Sequence, residues 1–282
     1  MAKCYMRFPG GLSKALTLSY DDGVEQDEQL IKILNEYNIK ATFNINGGCF
    51  APEGTVYPEG RISRRLTVSR ALELYKKPHE VALHSYTHPF LETLPTSQIA
   101  MEVLEDKRAL EKYFGGVIRG MAYPMGTYSD DVVSVLKNAG VAYSRTIQST
   151  EKFDIPRDWL RMPATCHHNN PRLLELAETF VSKEYNRHPQ LFYLWGHSYE
   201  FEDHKNWHVI EDFCKTVANK DDIWYATNIE IYDYITAYNR LSWAIDMKAV
   251  YNPSAVSVWV KVAKPFEPEQ TVEIKPGETL TL

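Results

Sequence analysis

Four residues of the chain have the types and spacing of a metal-dependent catalytic site. Asp21 and Asp22 are adjacent, and His84 and His88 stand four positions apart in the segment HSYTH. On a helical turn this spacing places both imidazoles on one side, where they can bind one metal ion. With Asp22 as a third ligand, open positions remain for water and substrate, which is typical of a catalytic metal site. The neighbouring Asp21 is then free to act as a general base.

The ligand types indicate which metal such a site would take. Two imidazoles and one carboxylate favour a single zinc ion, and they also suit cobalt, manganese, nickel or iron(II). A divalent ion of this kind lowers the pKa of water and polarises an acyl carbonyl. An Asp-Asp-Gly triplet alone is usually a turn, and an isolated His pair is usually a surface feature. The combination of both at strand ends therefore favours the metal site.

The elements that position these residues alternate between strand and helix. Strands are predicted at 14–20, 40–45, 80–84, 120–123, 141–145, 190–194 and 223–227, and helices at 26–37, 67–76, 96–114, 129–139, 171–185, 207–217 and 229–240. Repeated β-α units imply parallel strands with covering helices. About seven such units close into a TIM-like α/β barrel, whose site lies at the carboxyl ends of the strands. Asp22, His84 and His197 all fall at such ends.

The C-terminal stretch departs from this pattern. Residues 241–282 lack a helical period and contain short alternating segments around Pro276 and Gly277. We therefore predict a barrel over residues 1–240 and a small antiparallel β appendage over residues 241–282. The appendage is expected to pack on the barrel, because a short β unit is only marginally stable alone.

Composition excludes several classes of function. The net charge is −6 and the basic residues are scattered, which argues against nucleic-acid binding and against an anionic membrane surface. Neither a signal peptide nor a long apolar run is seen, so a cytoplasmic protein without a membrane span is expected. The oligomeric state is left open. The cysteines lack a CxxC pattern and are expected to be free thiols; they are Cys4, Cys49, Cys166 and Cys214.

At its two motifs the sequence resembles the polysaccharide deacetylase family, the NodB-homology carbohydrate esterases of family 4. The family's T-F-D-D-G is similar to the segment SYDDG at 19–23, and its H-[ST]-x-x-H matches HSYTH at 84–88. The resemblance covers roughly residues 12 to 235. It implies a distorted (β/α)7 barrel, a divalent metal that is usually zinc, and hydrolysis of an acyl group.

The resemblance also implies roles for individual residues. Asp21 corresponds to the base that deprotonates water, and the metal ligands correspond to Asp22, His84 and His88. The family's L-x-H motif supplies a histidine that acts as general acid. The nearest segment here is LWGH at 194–197, which is one residue longer and makes His197 the predicted acid.

The third motif departs from the family pattern R-x-P-[YF]. Ala122 stands where the family has the arginine that braces the base, and Met125 stands at the aromatic position, where its backbone N–H would hold the oxyanion. Arg161 is the predicted replacement for the brace; a structural ion pair with Asp154 or Asp158 is the alternative. The residues predicted to orient the base or bind substrate are Tyr123, Pro124, Met125, Trp159, Arg161 and Trp195.

The leading hypothesis is a hydrolase that removes acetyl groups from N- or O-acetylated carbohydrate. The changed third motif and the bulky Trp195 and Tyr199 beside His197 favour a pocket unlike that of a chitin or peptidoglycan enzyme. One alternative keeps the metal hydrolase but makes its substrate a small amide or cyclic ureide, as in allantoinase-like relatives. Another is an inactive carbohydrate-binding barrel, which would have no need of a base beside a metal site.

Overall fold

A computed structural model describes residues 3–184 and 187–282 as parallel β-α units followed by antiparallel strands. The strands are β1 (Lys3–Arg7), β2 (Lys14–Asp21), β3 (Thr42–Ile45), β4 (Glu80–Leu83), β5 (Gly120–Ala122), β6 (Tyr143–Ser149), β7 (Met162–Ala164), β8 (Cys166–His167), β9 (Gln190–Gly196), β10 (Ile223–Tyr225), β11 (Ser242–Trp243), β12 (Ala249–Tyr251), β13 (Val258–Ala263), β14 (Gln270–Ile274) and β15 (Thr279–Thr281). The helices are α1 (Asp27–Glu36), α2 (Val68–Leu74), α3 (Thr96–Phe114), α4 (Asp130–Asn138), α5 (Leu173–Ser182), α6 (Ser198–Asp203), α7 (His208–Val217) and α8 (Asn228–Asn239).

β2 is the central strand of the main sheet. Every residue of β2 is buried, and the strand pairs in parallel with β3, β9 and β10. Strands buried on both faces are typical of parallel sheets that carry helices on the outside. At its amino end Lys14 pairs with Asp222 at 2.8 Å. Its carboxyl end carries Asp21 to the edge where the candidate site forms.

The main sheet has the order β7-β6-β5-β4-β3-β2-β9-β8, with β10 paired to β2. Its two end strands, β7 and β8, are separated only by Thr165, whose N–H donates to Tyr193 O of β9 at 2.9 Å. One continuous segment, residues 162–167, thus contacts β6 at its start and β9 at its end, so the sheet curves round on itself. The predicted distorted (β/α)7 barrel is confirmed, although backbone pairing leaves it without a fully closed ladder.

The helices cover the outside of this curved sheet. Each helix predicted from periodicity is present with slightly different ends; the one expected at 171–185 is α5, and Tyr185 lies outside the described residues. α6 is an additional helix that follows β9 directly. All four cysteines are free, and Cys166 and Cys214 are buried in the main core. Within the described ranges, none of these helices has the length and apolar character needed to cross a membrane.

Antiparallel strands follow α8. β13 pairs with both β14 and β1, so the N-terminal strand shares a three-stranded sheet with C-terminal ones. A second three-stranded sheet consists of β11, β12 and β15. Val258, Val260 and Ile274 are buried in one apolar cluster with Ala237 of α8. The division at residue 240 stays a prediction, since the strand pairing of β1 crosses it.

Candidate active site

Asp21 and Asp22 lie where β2 ends, and they meet different neighbours. Asp21 is the last residue of the strand and is 2% exposed, whereas Asp22 has a left-handed backbone with φ 86°. The N–H of Asp22 donates to Asn44 O of β3 at 2.9 Å. Asp21 Oδ2 lies 4.0 Å from His84 Nε2, and Asp22 Oδ1 lies 3.7 Å from His88 Nε2. Both carboxylates therefore border the same histidine pair.

His84 and His88 lie in the loop that follows β4. The prediction of a helical turn here is wrong, because Ser85 and His88 have φ of 63° and 62° and no helix forms between β4 and Leu91. The left-handed residues fold the loop back on itself, and the two imidazole centroids are 4.8 Å apart. Loop curvature, and not helical periodicity, brings the pair together.

Asp22, His84 and His88 form a candidate metal triad. Each offers one ligand atom, and these atoms all lie within 4.8 Å of one another. His84 Nδ1 donates to Ala122 O at 2.8 Å, so Nε2 keeps its lone pair for a ligand. Burial lowers the pKa of His84 to about 4, and it also lowers the pKa of His88. Neutral imidazoles are the form that binds metals, so the donor set fits a divalent ion.

Asp21 is held by hydrogen bonds from two strands. Arg145 Nη2 of β6 donates to Oδ2, and Asn44 Nδ2 of β3 donates to Oδ1 at 2.8 Å. Burial alone would raise the pKa of this carboxyl, but Arg145, His84 and His197 outweigh it and lower the pKa to about 2. Asp21 is therefore ionised at neutral pH and able to accept a proton.

His197 follows β9 and faces Asp21 across the site. Its Nε2 lies 3.9 Å from Asp21 Oδ2, and its Nδ1 donates to Glu200 Oε1 at 2.9 Å. Burial alone would lower the pKa of His197, but Glu200 and Asp21 raise it overall. Glu200, in α6, also lies 2.9 Å from His168 Nε2. These contacts favour a protonated imidazole at His197.

Arg161 does not reach Asp21. Its guanidinium pairs with Asp158 at 2.8 Å and with Asp130 at 2.6 Å, as in the alternative of a structural ion pair. Arg145 takes the place that the sequence analysis assigns to Arg161. The reason lies in strand register, because Arg145 of β6 is the direct partner of Ala122 on β5. The guanidinium missing from the third motif is therefore replaced from the adjacent strand.

The two tryptophans of the predicted site have different surroundings. Trp195 is 8% exposed, and the guanidinium carbon of Arg145 lies 4.3 Å from the centroid of its ring. Trp195 also meets His167 edge-to-face, with ring centroids 4.4 Å apart. Trp159 instead packs edge-to-face against Tyr232 of α8 at 5.3 Å. Trp195 thus borders the brace of Asp21, whereas Trp159 has a packing contact with a helix.

The altered third motif forms a tight turn after β5. Tyr123 is buried, donates its hydroxyl to Leu160 O at 2.6 Å and stacks on Tyr128 with centroids 4.9 Å apart. Pro124 is buried at the start of the turn. Met125 has φ 57°, and its side chain is 45% exposed. The predicted role of its N–H toward an oxyanion stays a prediction.

Three further residues of the site are not predicted from the sequence: Arg145, Glu200 and Asp106. Asp106 of α3 is fully buried and accepts the N–H of His84 at 2.9 Å, so it positions a metal-triad residue. One signal was available, since Arg145 falls within a predicted strand and an arginine is rarely buried there without a partner. Glu200 stands three positions after His197, a spacing that brings the two together only because α6 begins there.

The fold and site together define a distorted α/β barrel with a candidate metal triad at the carboxyl ends of its strands. Within that class, residues 10–144 match the sequence model of the family described as Polysaccharide deacetylase. The resemblance to this family that the two motifs indicate is thereby confirmed.

A curated relative is the chitooligosaccharide deacetylase of Sinorhizobium fredii (strain NBRC 101917 / NGR234), which is 30% identical over 149 residues. The match covers 51% of this chain and 59% of the relative. The chain therefore spans less than two thirds of that protein's length.

Two solved structures share the fold. The Xyl-CE4 domain of a multidomain xylanase from the hindgut metagenome of Trinervitermes trinervoides has a TM-score of 0.53 at 16% identity, with 79% of this chain and 92% of that chain covered. A family 4 acetyl xylan esterase from Clostridium thermocellum, in complex with a cobalt ion, has a TM-score of 0.51 at 15% identity, with 77% and 90% covered. At these identities the likeness extends to the fold alone.

Proposed function

We propose that this protein is a metal-dependent hydrolase that removes acetyl groups from N- or O-acetylated carbohydrate. The observation that carries the proposal is the position of Asp21, whose Oδ2 lies 4.0 Å from His84 Nε2 and 3.9 Å from His197 Nε2. One ionised carboxylate thus lies between a candidate metal triad and the imidazole of His197, whose surroundings favour its protonated form. Acyl transfer to water needs a base, an electrophile and an acid arranged around one carbonyl group.

The metal would be held by Asp22, His84 and His88. A bound divalent ion supplies Lewis acidity toward the acyl carbonyl and lowers the pKa of water. The donor set favours zinc, and the cobalt ion in the Clostridium thermocellum esterase is compatible with a divalent ion in this fold. His84 is already oriented for this task, because Ala122 O accepts its Nδ1–H and Asp106 accepts its backbone N–H.

The chain's own residues would move two protons. Asp21 accepts a proton from water as the oxygen forms a bond to the acyl carbon. His197 donates its Nε2 proton to the leaving nitrogen or oxygen as the bond from the acyl carbon to that atom breaks. Arg145 and Asn44 keep Asp21 ionised and oriented, and Glu200 keeps the imidazole of His197 protonated. The products are acetate and the deacetylated amine or alcohol.

A carbohydrate substrate is supported by the curated relative, whose name is chitooligosaccharide deacetylase. This observation favours an acetylated sugar over a cyclic ureide. The presence of both a base and an acid beside the triad favours catalysis over binding alone, because a binding module gains nothing from an ionised carboxylate braced by a buried arginine.

Metal analysis and acetate release test the proposal together. The purified protein is expected to contain one divalent ion and to release acetate from acetylated chitooligosaccharides or acetylated xylan, and EDTA should abolish the release. D21N should keep the metal and lose activity by about 10²-fold or more, since a general base is removed. H88A should lose the metal. H208A is the control, because His208 is exposed at the start of α7.

Two results would contradict the proposal. One is a wild-type protein that binds no divalent metal and whose acetate release is unchanged by EDTA. The other is a D21N variant that retains wild-type activity at full metal content, which would remove Asp21 from the base role while leaving the triad in place.

A further inference from the structure

A hydrogen-bonded chain runs behind the metal triad and joins its two halves. Arg65 Nη2 donates to Asp22 Oδ1 at 2.9 Å, and Nη1 donates to both Asp22 O and Asn46 Oδ1, the latter at 2.9 Å. Asn46 Nδ2 in turn donates to the carbonyl oxygens of His84 and Ser85, the latter at 2.8 Å. Arg65 and Asn46 therefore connect the ligand at the end of β2 with the ligand segment after β4.

The backbone that Arg65 and Asn46 contact is in an unfavourable conformation. Asp22, Ser85 and His88 all have positive φ, at 86°, 63° and 62°. A residue other than glycine is unfavourable in this conformation, which persists only where the surroundings hold it. Arg65 donates a hydrogen bond to the carbonyl oxygen of Asp22, and Asn46 donates one to the carbonyl oxygen of Ser85. They therefore act on two of the three strained positions.

Arg65 is itself delivered by fixed backbone. Its residue forms a β-bridge with Val24, and the N–H of Leu66 donates to Gly23 O at 3.0 Å. Tyr57 Oη donates to Arg65 O at 2.8 Å. A guanidinium on an anchored segment loses little conformational freedom when it bonds Asp22, so it can preorganise the carboxylate.

We propose that Arg65 and Asn46 are positioning residues that form a bracket across β2, β3 and β4 and thereby raise the metal affinity of Asp22, His84 and His88. The inference rests on the proposed function in one respect, that this triad binds a divalent ion. Residues that orient metal ligands typically change metal affinity by about 10–100-fold when removed. The bracket therefore determines how tightly the triad holds its ion, without contributing a ligand.

The sign of the effect is a strict test, because Arg65 is also a cation beside a cation site. Coulomb repulsion from the guanidinium alone would weaken metal binding, and its removal would then tighten it. Orientation of the Asp22 carboxylate by Arg65 would instead strengthen metal binding, and its loss would weaken it. Three donated hydrogen bonds to the Asp22 and Asn46 oxygens, made from one anchored side chain, favour orientation as the larger effect.

Titration of the EDTA-treated protein with Co²⁺ separates these alternatives, since bound Co²⁺ reports its ligand geometry through visible absorption. R65Q and N46A are each expected to bind Co²⁺ about 10–100-fold more weakly than wild type, with an altered spectrum. R65K should recover part of the affinity, because an ammonium keeps the charge but lacks the two-pronged geometry. R64Q is the matched control: Arg64 pairs with Glu25 and Glu202.

Each outcome decides something distinct. Wild-type Co²⁺ affinity and spectrum in both R65Q and N46A, or tighter binding in R65Q, would overturn the bracket while leaving the proposed function intact. Failure of the wild-type protein itself to bind Co²⁺ would overturn the proposed function and the bracket together. A thermal melt of each metal-free variant checks folding, and R65K provides the measurement if R65Q does not fold.

Discussion

Asp21 and Asp22 are adjacent in the chain, yet each contacts a different arginine. Asp21 is paired with Arg145, which is buried in β6, and Asp22 with Arg65, which comes from the segment before α2. The left-handed φ of Asp22 ends the strand alternation, so the two carboxylates meet different partners. The proposed division into base and ligand therefore follows from the backbone at the end of β2, since the two side chains are chemically identical.

The sequence motifs predict the site residues that lie within them. They miss the residues that strand register brings to the site. Asp22, His84 and His88 are found because their spacing is visible in the motifs. Arg145 is missed because its place beside Asp21 depends on the pairing of Ala122 with Arg145, which no local pattern encodes. The absence of an arginine at Ala122 predicts that a substitute exists, but not which strand carries it.

Arg145 is predicted to set the pH range in which Asp21 can act as a base. R145Q removes the cation that lowers the pKa of Asp21, so that pKa should rise from about 2. A base works in its deprotonated form, so activity falls as pH drops through its pKa, and a higher pKa moves this loss to higher pH. We expect the acid limb of kcat/KM to shift upward. Activity at neutral pH should also fall, by about 10²-fold, because Asp21 loses the donor that orients it. Metal content should be unchanged.

R161Q is the matched control for this experiment. Arg161 pairs with Asp158 and Asp130 and does not contact Asp21, so its loss should leave the pH profile as in wild type. R145K keeps a positive charge and should retain part of the activity. An R145Q profile that coincides with that of wild type would exclude Arg145 as the brace.

Among the helices and strands, periodicity predicts the repeated β-α units, whereas the short elements that form through tertiary contacts are not predicted. The strands and helices of the barrel follow the patterns read from the sequence, with ends that shift by a few residues. The segment 162–167 is not predicted, because it is short, contains Pro163 and pairs with β6 on one side and β9 on the other. α6 is also missed, since a helix of six residues carries too little periodicity to be recognised.

Asp27 shows how one buried side chain joins three of these elements. It lies in the first turn of α1, is fully buried, and accepts hydrogen bonds from Ser198 of α6 and from Tyr75 at the end of α2. Burial raises the pKa of Asp27 to about 7, even though these donors favour its charged form. The folded protein therefore prefers the protonated carboxyl below that pH.

D27N tests whether the folded protein prefers the protonated carboxyl of Asp27. Between pH 3.8 and about 7 the folded state binds the proton and the unfolded state releases it, so stability falls as pH rises. The wild-type free energy of unfolding should decrease across this window relative to D27N by on the order of 4 kcal/mol. Urea unfolding at pH 4, 6 and 8 measures the difference.

E28Q is the control for D27N, because Glu28 is the next residue of the same turn and is exposed beside Arg70. Its unfolding free energy should follow the wild-type slope. Parallel slopes for wild type and D27N across the whole window would mean that Asp27 ionises as freely in the folded as in the unfolded chain.

For the whole molecule, the described chain is tied together by strands from its two ends. β1 pairs with β13 in one sheet, and the hydroxyl of Tyr234 in α8 connects that sheet to the barrel. It donates to Arg7 O of β1 and accepts the N–H of Trp259 of β13 at 2.9 Å. Of the strands that sequence alternation predicts in the tail, β13 and β14 thus share a sheet with β1, which is not predicted from the sequence. Pairing between segments so far apart in the chain is not visible locally.

Y234F should therefore destabilise the whole protein and leave acetate release unchanged. The buried Arg7 O and the part-buried Trp259 N–H each lose a partner, which costs about 1–3 kcal/mol. We expect a lower Tm with a single transition, because β1 couples the terminal sheet to the barrel. Y238F is the control: within the described ranges, the hydroxyl of Tyr238 on the same helix has no hydrogen bond. A wild-type melt in two separate steps, or equal losses in Y234F and Y238F, would contradict this coupling.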